Sequence, residues 1–415
     1  MNHSTPRLRA AIAIGAVTVA MLAGCASNSA GSADTGSLRI LANITPVLTK
    51  TYYEGLVAPY VKAHPGVKVV IEAPSGKDVQ STLQQELAAG STPDIVASNL
   101  DPVVAPQMTS FPNATWVTNT PLSDANKVDG KIWQVATGAQ IQSLTFYNKD
   151  AYAKAGISST PKTLTEFTAD LKKLKDAGYV PLQTAGEWVT GAQFAEMANP
   201  ALLGNDASFY SKVTKGKAKF SDSAYKTYLT AYAGWVKDGL VSSEALGFKY
   251  QDSIDGFTSG KAATYMIGNW IVPSIDQAKP TFQVGVYPTP TISGATPKQL
   301  SGAAQPYSIL KNSKHQALAL DLVKYLVSDK KAIATSIKSE GNFRKGVSYP
   351  GSALNSDVAK ILDEAPGSVI GTSGSGIPAG FSDQLNKDVQ SLYTGSTAEA
   401  AAADLDSWWK TNAGN

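Results

Sequence analysis

The sequence of 415 residues is poor in the side chains that build disulfides, zinc sites and catalytic triads. It contains one cysteine, Cys25, and three histidines, His3, His64 and His315. A single thiol cannot form a disulfide within the chain, and scattered histidines supply neither a zinc-ligand spacing nor a triad. The composition therefore argues against a disulfide scaffold and against a metal or histidine-based enzyme, and we expect no cofactor.

Arginine is also scarce. Besides Arg7 and Arg9 near the start, the sequence has only Arg39 and Arg344, and its net charge is +3. Nucleic-acid-binding surfaces concentrate Lys and Arg on one face, so we expect no nucleic-acid partner. The length favours two domains over one.

No apolar run is long enough for a comfortable membrane span. The uncharged run from Ala10 to Gly24 is shorter than the roughly 20 residues that a transmembrane helix needs. It follows Arg7 and Arg9, and a positive segment before a short apolar run is typical of a secretory signal.

The segment Leu22-Ala23-Gly24-Cys25 resembles the lipobox of bacterial lipoproteins. In that family the chain is cut before the cysteine and the thiol is acylated. The resemblance implies a signal peptide over 1–24, a lipidated Cys25 and a flexible tether over 25–36, rich in Ser, Gly and Ala. Two acyl chains would hold the protein on the membrane surface. The alternative is an ordinary signal cut elsewhere, with Cys25 incidental.

The next part of the chain alternates strand and helix patterns. Asp78 and Gly90 are predicted to begin and end a helix, and Pro59 to end or kink the helix before it. Short apolar runs predict strands at Leu38–Ile44, Val67–Ala73 and Asp94–Ser98. This order predicts an α/β fold with a mostly parallel sheet, whose ligands bind at the carboxyl ends of the strands.

A second α/β region follows. Thr163 and Glu166 form a capping box before an apolar stripe at helical spacing, and the last helix should bury Trp408 and Trp409. The Gly- and Ser-rich segment Pro366–Gly380 predicts a long loop. Further elements are predicted at Ser143–Asp150, Ala263–Gly268, Phe282–Pro288 and, as a helix, Lys314–Ser328.

Motifs that suggest catalysis fail in detail. The segment "GFTSGKA" (Gly256–Ala262) has three residues between its glycines where a phosphate loop has four, and Ala262 replaces the Ser or Thr. No G-x-S-x-G elbow occurs. Asp101 and Glu187 can be imagined as a hydrolase pair, but their separation is not given by the sequence. We predict that the protein is not an enzyme.

Several stretches, in order, resemble the family 1 extracellular solute-binding proteins of ABC sugar importers, the group that includes maltose-binding protein. The resemblance covers nearly all of the mature chain. The stretches are "AAGSTPDIVASNLDP", "FYNKDAYAKAGISSTPKTLTEFTADLKKL", "FTSGKAATYMIGNW", "ILKNSKHQALALDLVKYLVSD" and "YTGSTAEAAAADLDSWW".

The resemblance implies a two-lobed periplasmic-binding-protein-like fold of type II, with hinge strands joining the lobes and a sugar between them. The lobes close on the ligand, and a membrane permease recognises the closed form. A monomer is expected, tethered outside a single-membrane, Gram-positive bacterium. The implied lobes are 37–140 with 305–345, and 141–304 with 346–415. The implied crossings lie near Gly138–Ser143, Ser301–Tyr307 and Arg344–Gly351.

A sugar site needs aromatic planes for C–H faces, and directional donors and acceptors for hydroxyls. Family members carry a stacking tryptophan after a similar G-x-W, which implies Trp270 beside Asn269; the alternative is a core tryptophan. Glu187 and Trp188 lie in a glycine-bounded turn, and are alternatively a loop charge and a lid on the core. Asp101 follows a strand, and is alternatively an N-cap.

The other candidates lie at strand ends, beside the crossings or in late loops. Arg344 lies where relatives have P-x-R, although the proline is missing here. Phe381 opens a late helix where relatives direct an aromatic toward the sugar. The full set of these candidates is Asn43, Thr45, Gln140, Gln142, Asn342, Arg344, Phe381 and Asp383.

Two rival interpretations stay open. The same fold can bind a non-sugar solute, although anion receptors need arginines or helix N-termini. Iron receptors use grouped tyrosines. The sequence has 17 Tyr, but no motif in it indicates an iron site. A lipoprotein glycoside hydrolase is the other rival. Several candidate aromatics favour a di- or oligosaccharide.

Overall fold

The computed structural model describes residues 36–371 and 376–413. The predicted signal peptide, the lipidated Cys25 and most of the tether therefore lie outside the described residues. Of the helices in the described part, none has the length and apolar character needed to cross a bilayer.

Strands and helices alternate through much of the chain, as the sequence pattern predicts. The strands are β1 (Ser37–Ala42), β2 (Lys68–Glu72), β3 (Ile95–Ala97), β4 (Lys127–Val128), β5 (Lys131–Ile132), β6 (Val135–Ile141), β7 (Leu144–Asn148), β8 (Val180–Gln183), β9 (Ala262–Met266), β10 (Val284–Pro288), β11 (Gln299–Ile309) and β12 (Ser368–Ile370). The helices are α1 (Lys50–Ala63), α2 (Val79–Ala89), α3 (Thr115–Thr118), α4 (Lys149–Lys154), α5 (Leu164–Asp176), α6 (Val189–Asn205), α7 (Phe209–Thr214), α8 (Ala224–Lys237), α9 (Tyr250–Thr258), α10 (Val272–Ala278), α11 (Gln316–Ser328), α12 (Lys330–Ser339), α13 (Ala353–Glu364), α14 (Phe381–Ser391) and α15 (Ala398–Asn412).

The first sheet has the order β12-β11-β3-β1-β2, and β6 also pairs with β11. β1 is parallel to β2 and β3, whereas β11 is antiparallel to β3 and β6. Leu38 and Ile40 of β1 are buried with Leu56 of α1 and Leu322 of α11. We call β1, β2, β3, β6 and β11 with α1, α2, α11 and α12 the first lobe.

The second sheet has the order β10-β7-β9-β8, in which β8 is parallel to β9 and the other pairs are antiparallel. One core joins Phe167 of α5, Phe194 of α6 and Trp235 of α8 to Leu385 of α14 and Trp409 of α15. We call this sheet with α5, α6, α8, α9, α14 and α15 the second lobe.

The capping signals agree with the structure. The Asp78 side chain accepts a hydrogen bond from the Ser81 N–H at the start of α2, and Gly90 ends that helix at φ 70°. Thr163 and Glu166 form the predicted capping box at the start of α5. The apolar stripe behind that box is buried: Leu164, Phe167, Leu171 and Leu174.

Two local predictions differ from the structure. The predicted end of the helix at Pro59 does not occur. α1 continues through Pro59 to Ala63. Pro59 and Gly55, whose carbonyl loses its usual donor, are both exposed, so water can satisfy that carbonyl. The segment predicted as a loop, Pro366–Gly380, contains β12, which pairs with the start of β11; its residues 372–375 lie outside the described part.

The passage from the first sheet to the second is short. β6 ends at Ile141, and β7 begins at Leu144 after Gln142 and Ser143. Ser143 has φ 65°, a conformation that few non-glycine residues adopt. In the partner strand β11, Gln305 has φ 44° and interrupts the pairing with β6. Both unusual conformations therefore lie at or beside the junction of the lobes.

Candidate functional site

Three aromatic side chains gather at one edge of the second sheet. Trp188 follows β8, Tyr250 begins α9, and Trp270 follows β9 in a short 3-10 helix, Asn269–Ile271. The Trp188 ring centroid lies 5.0 Å from that of Tyr250 and 6.4 Å from that of Trp270. Trp188 is 42% exposed, which is unusual for so large an apolar side chain. These three residues, which we call the aromatic wall, offer a stacking surface.

Two glycines allow the aromatic wall to form. A methyl group added at Gly268 would overlap the Trp270 ring, and one added at Gly186 would overlap the carbonyl of Leu246. Glycine is therefore required at both places because backbone and ring approach too closely for a side chain. This explains physically why a glycine precedes Trp270 by two positions.

Glu187 fixes the position of Tyr250 in the aromatic wall. Its Oε2 accepts a hydrogen bond of 2.9 Å from the Tyr250 N–H, at the start of α9. Its backbone carbonyl accepts hydrogen bonds from the side chains of Asn386 and Gln390 on α14. Sequence reasoning missed Tyr250, because it lies 63 positions from Glu187 in the sequence.

Asn269 is wholly buried and serves as a structural link. Its Oδ1 accepts from the Ile141 N–H at 2.6 Å. Its Nδ2 donates to the carbonyl of Gly341 at 2.7 Å and to Oδ1 of Asn342 at 3.0 Å. Asn269 and Asn342 are both 0% exposed. The structure therefore contradicts the prediction that these two side chains bind ligand.

The polar network continues into the first lobe. The Tyr52 hydroxyl donates to Oε1 of Gln305 at 2.7 Å, and Nε2 of Gln305 donates to the carbonyl of Ser336 at 2.8 Å. Nδ2 of Asn342 donates to Oε2 of Glu340 at 3.1 Å. Burial raises the pKa of Glu340 and raises that of Tyr52 to about 12. The network connects α1, β11 and the segment before Trp270.

Gln140 and Gln142 lie together beside the crossing. Both are half-buried, and both amides lie within 3.4 Å of where a side chain at Gly302 would begin. The glycine on β11 thus leaves room for two amide groups on one surface. Amides supply both a donor and an acceptor, as sugar hydroxyls require.

Arg344 is half-buried beside β6. Its guanidinium donates to the carbonyl of Thr137 at 3.0 Å, and burial lowers its pKa. It takes part in none of the ion pairs formed within the described residues. A partly desolvated cation without a carboxylate is suited to a ligand oxygen.

The first strand end carries two candidates. Asn43 is exposed directly after β1, at the carboxyl end of a parallel strand. Thr45 accepts a hydrogen bond of 2.9 Å from the Leu48 N–H and so shapes the turn into α1. Of these two side chains, Asn43 is exposed and Thr45 is half-buried.

A cleft of about 450 Å³ lies between the start of α2, the segment after β3 and the start of α14. Asp101 and Asp383 both line it. Oδ1 of Asp101 accepts from the Val103 N–H at 3.0 Å, so the N-cap alternative is confirmed for this residue. Asp383 is exposed and lies 3.5 Å from Nζ of Lys77.

Phe381 is a core residue, contrary to the prediction that its ring faces a sugar. It is 1% exposed, stacks on Phe220 at 5.6 Å and lies 5.0 Å from Trp409. Trp409 is 1% exposed, as predicted, whereas Trp408 is half-buried. No group of three or more His, Cys, Asp or Glu able to hold a metal occurs among the described residues.

Glu196 of α6 is a buried carboxyl group beside the crossing. It is 3% exposed and accepts a hydrogen bond from the Ser143 backbone, and burial raises its pKa to about 8. The native state therefore binds this proton more tightly than the unfolded chain does. Its stabilising effect is complete below about pH 4 and is lost as the pH rises through about 8.

We expect Glu196→Gln to flatten this pH dependence and to stabilise the protein above about pH 8. Urea unfolding of wild type and variant at about pH 5, 7 and 9 measures the difference. Glu54→Gln, at an exposed position of α1, is the matched control and should leave the profile unchanged. Parallel profiles for wild type and Glu196→Gln would contradict the assignment.

The model of the bacterial extracellular solute-binding protein family matches residues 45–333. The chain belongs to this family. The resemblance inferred from the sequence is thereby confirmed.

Two curated relatives are named as sugar-binding proteins. The chain is 24% identical over 273 residues to the multiple sugar-binding protein of Streptococcus mutans, covering 63% of this chain and 64% of that protein. It is 24% identical over 337 residues to the melibiose/raffinose/stachyose-binding protein MelE of Bacillus subtilis, covering 77% and 78%. Both relatives are named for binding and not for catalysis.

Solved structures confirm the fold. A chitin oligosaccharide binding protein matches with a TM-score of 0.74 at 21% identity, covering 92% of this chain and 100% of that one. The solute-binding protein RafE in complex with raffinose matches with a TM-score of 0.74 at 18% identity, covering 91% and 99%. This chain therefore has the two-lobed α/β architecture of type II.

Proposed function

We propose that the protein is the sugar receptor of an ABC importer, and that it binds a di- or oligosaccharide between its lobes without chemical change. The aromatic wall, in which Trp188 is exposed and Tyr250 and Trp270 are half-buried, carries this proposal. Indole and phenol rings stack on the C–H faces of sugars. Folding alone does not require Trp188 to stay exposed beside two other rings, whereas sugar binding does.

The polar residues near the crossing complement the aromatic wall. Gln140, Gln142 and Arg344 are half-buried and offer donors and acceptors in a partly desolvated setting. Asn43 adds an exposed amide at the end of β1. Aromatic planes with a few directed polar groups are the usual composition of a sugar site. The names of the relatives, which include raffinose and stachyose, agree with it.

Three further assignments belong to this proposal. Cys25 is the lipid anchor, and residues 25–36 tether the lobes outside the cell membrane of a Gram-positive bacterium. A permease accepts the closed form. The lobe boundaries stay at 37–140 with 305–345 and 141–304 with 346–415. Support for a crossing near Ile141 comes from the passage of β6 into β7.

One observation favours a second candidate function. Arg344 has no carboxylate partner among the described residues. An anionic solute, such as a sugar acid or a phosphate ester, would pair with this guanidinium. A neutral sugar and an anion therefore have to be compared directly.

The deciding experiment is a calorimetric titration of residues 37–415. The panel contains melibiose, raffinose, stachyose, chitin oligosaccharides and maltose, with glycerol 3-phosphate, phosphate and citrate as anions. Saturable binding of one neutral sugar class, with the sugar recovered intact by chromatography, supports the proposal. Binding of an anion alone supports the second candidate, and cleavage products would establish the hydrolase rival.

A further inference from the structure

One carboxylate joins the two lobes directly. Asp101 lies between Leu100 and Val104, which are buried in a cluster with Leu41 of β1. Its Oδ2 accepts a hydrogen bond of 3.1 Å from the Gly380 N–H. Gly380 immediately precedes Phe381, a member of the second-lobe core. The bond therefore runs from a rigid part of one lobe to a rigid part of the other.

The start of α14 depends on this contact. Gly380 is the N-cap residue, has φ 80° and supplies no side-chain cap. The first N–H groups of a helix lack intrahelical acceptors and carry a partial positive charge. Asp101 gives this end a negative charge and an acceptor that its own segment does not provide.

Both oxygens of Asp101 are occupied in this arrangement. Oδ1 caps the 3-10 helix Pro102–Gln107 through the Val103 N–H, and Oδ2 reaches Gly380. The Asp101 N–H donates to Oε1 of Gln80 on α2 at 3.2 Å, which fixes the backbone. The three hydrogen bonds hold the Asp101 side chain in the orientation that reaches Gly380.

A second contact between the lobes lies in the same cleft. Nζ of Lys77, before α2, is 3.5 Å from Oδ1 of Asp383 in the first turn of α14. Both side chains are more than two-thirds exposed, so this ion pair contributes little by itself. It does show that the first turn of α14 meets the first lobe at two points.

We propose that Asp101 is a closure latch, a positioning residue that holds the lobes together by capping α14 from the opposite lobe. The effect of the latch on ligand binding rests on the proposed function. Its effect on lobe closure does not. Loss of the latch lowers the closed fraction and speeds ligand escape, while the aromatic wall stays intact.

The first test needs no ligand. Small-angle X-ray scattering compares the full chain as wild type, Asp101→Ser and Asp101→Ala, with Asp363→Ser, at an exposed position of α13, as control. Serine can still cap the Val103 N–H but is too short to reach Gly380. We expect a larger radius of gyration in both Asp101 variants and no change in the control.

Two results of this test would overturn the latch. Wild-type scattering from both Asp101 variants would show that the bond does not hold the lobes. An increase in Asp101→Ala alone would assign the effect to the local cap of Val103. Asp101→Asn, which keeps the size of the side chain and one acceptor oxygen for the Val103 N–H, keeps the test valid if Asp101→Ser or Asp101→Ala folds poorly: a larger radius supports the latch, and an unchanged one opposes it.

The second test measures escape of raffinose by stopped-flow fluorescence. We expect Asp101→Ser to raise the dissociation rate about fivefold with little change in the association rate, as for loss of a single typical hydrogen bond. Absence of raffinose binding in every protein, wild type included, would count against the proposed function and leave the scattering result standing. Lost affinity with unchanged scattering would make Asp101 a ligand contact and overturn the latch.

Discussion

Trp270→Ala should weaken sugar binding about thirtyfold. Truncating a well-packed aromatic contact costs about 2 kcal/mol, and every 1.4 kcal/mol is about tenfold in affinity. The ring is half-buried against Gly268 and lies 6.4 Å from Trp188, so its position is set before a ligand arrives. Titration calorimetry with the sugar selected from the panel measures the loss, and circular dichroism verifies the fold.

Two comparison variants make this result specific. Trp270→Phe keeps a ring and should recover much of the affinity. Trp116→Ala removes a half-buried tryptophan of α3 that packs 6.0 Å from Phe111 in the first lobe, and it should leave affinity unchanged. Equal binding by wild type and Trp270→Ala would remove the aromatic wall from the site.

Asn269→Ala should lower the free energy of unfolding by about 4 kcal/mol. The substitution strands the buried Ile141 N–H and the Gly341 carbonyl, and each orphaned buried group costs about 1–3 kcal/mol. Urea denaturation measures the change. Asn113→Ala, at an exposed position, is the matched control and should fall within about 0.5 kcal/mol of wild type.

Asn269→Asp separates hydrogen bonding from packing. The carboxyl group keeps the shape and the acceptor for Ile141, but an ionised carboxylate would face the oxygens of Gly341 and Asn342. We expect this variant to be destabilised at neutral pH and to recover part of the loss at about pH 4, where the carboxyl group is protonated. Wild-type stability for either Asn269 variant would show that the network does not support the fold.

Local signals in the sequence predicted the element boundaries well. The caps at Asp78 and Thr163 and the stop at Gly90 are confirmed because a cap depends on side chains within three residues of the helix end. The prediction that the helix ends at Pro59 was wrong because exposure of the affected carbonyl is a tertiary property. No local pattern contains that information.

The placement of Phe381 could have been predicted. Phe381, Leu385 and Val389 recur every four residues along α14, and all three are buried in the second-lobe core. That periodicity indicates a buried face. The analogy with relatives that direct an aromatic toward the sugar led instead to a ligand contact, which the structure contradicts.

The network around Asn269 and the contact of Asp101 were beyond sequence reasoning. Asn269 and Asn342 are 73 positions apart in the sequence, and Asp101 and Gly380 are 279 apart. Such pairings follow from the arrangement of the sheets, which short motifs do not encode. The predicted stacking residues Trp188 and Trp270 do lie together, because β8 and β9 are parallel neighbours whose carboxyl ends meet.

The order of strands in the first sheet bears on how the protein is made. β11, which begins at Gln299, lies between β3 and β12, so β1, β2 and β3 expose an unpaired edge until it arrives. A nascent chain of two hundred residues thus contains most of this lobe's helices and strands by number but cannot complete its sheet. Assembly waits for late segments, and such long-range closure is slow.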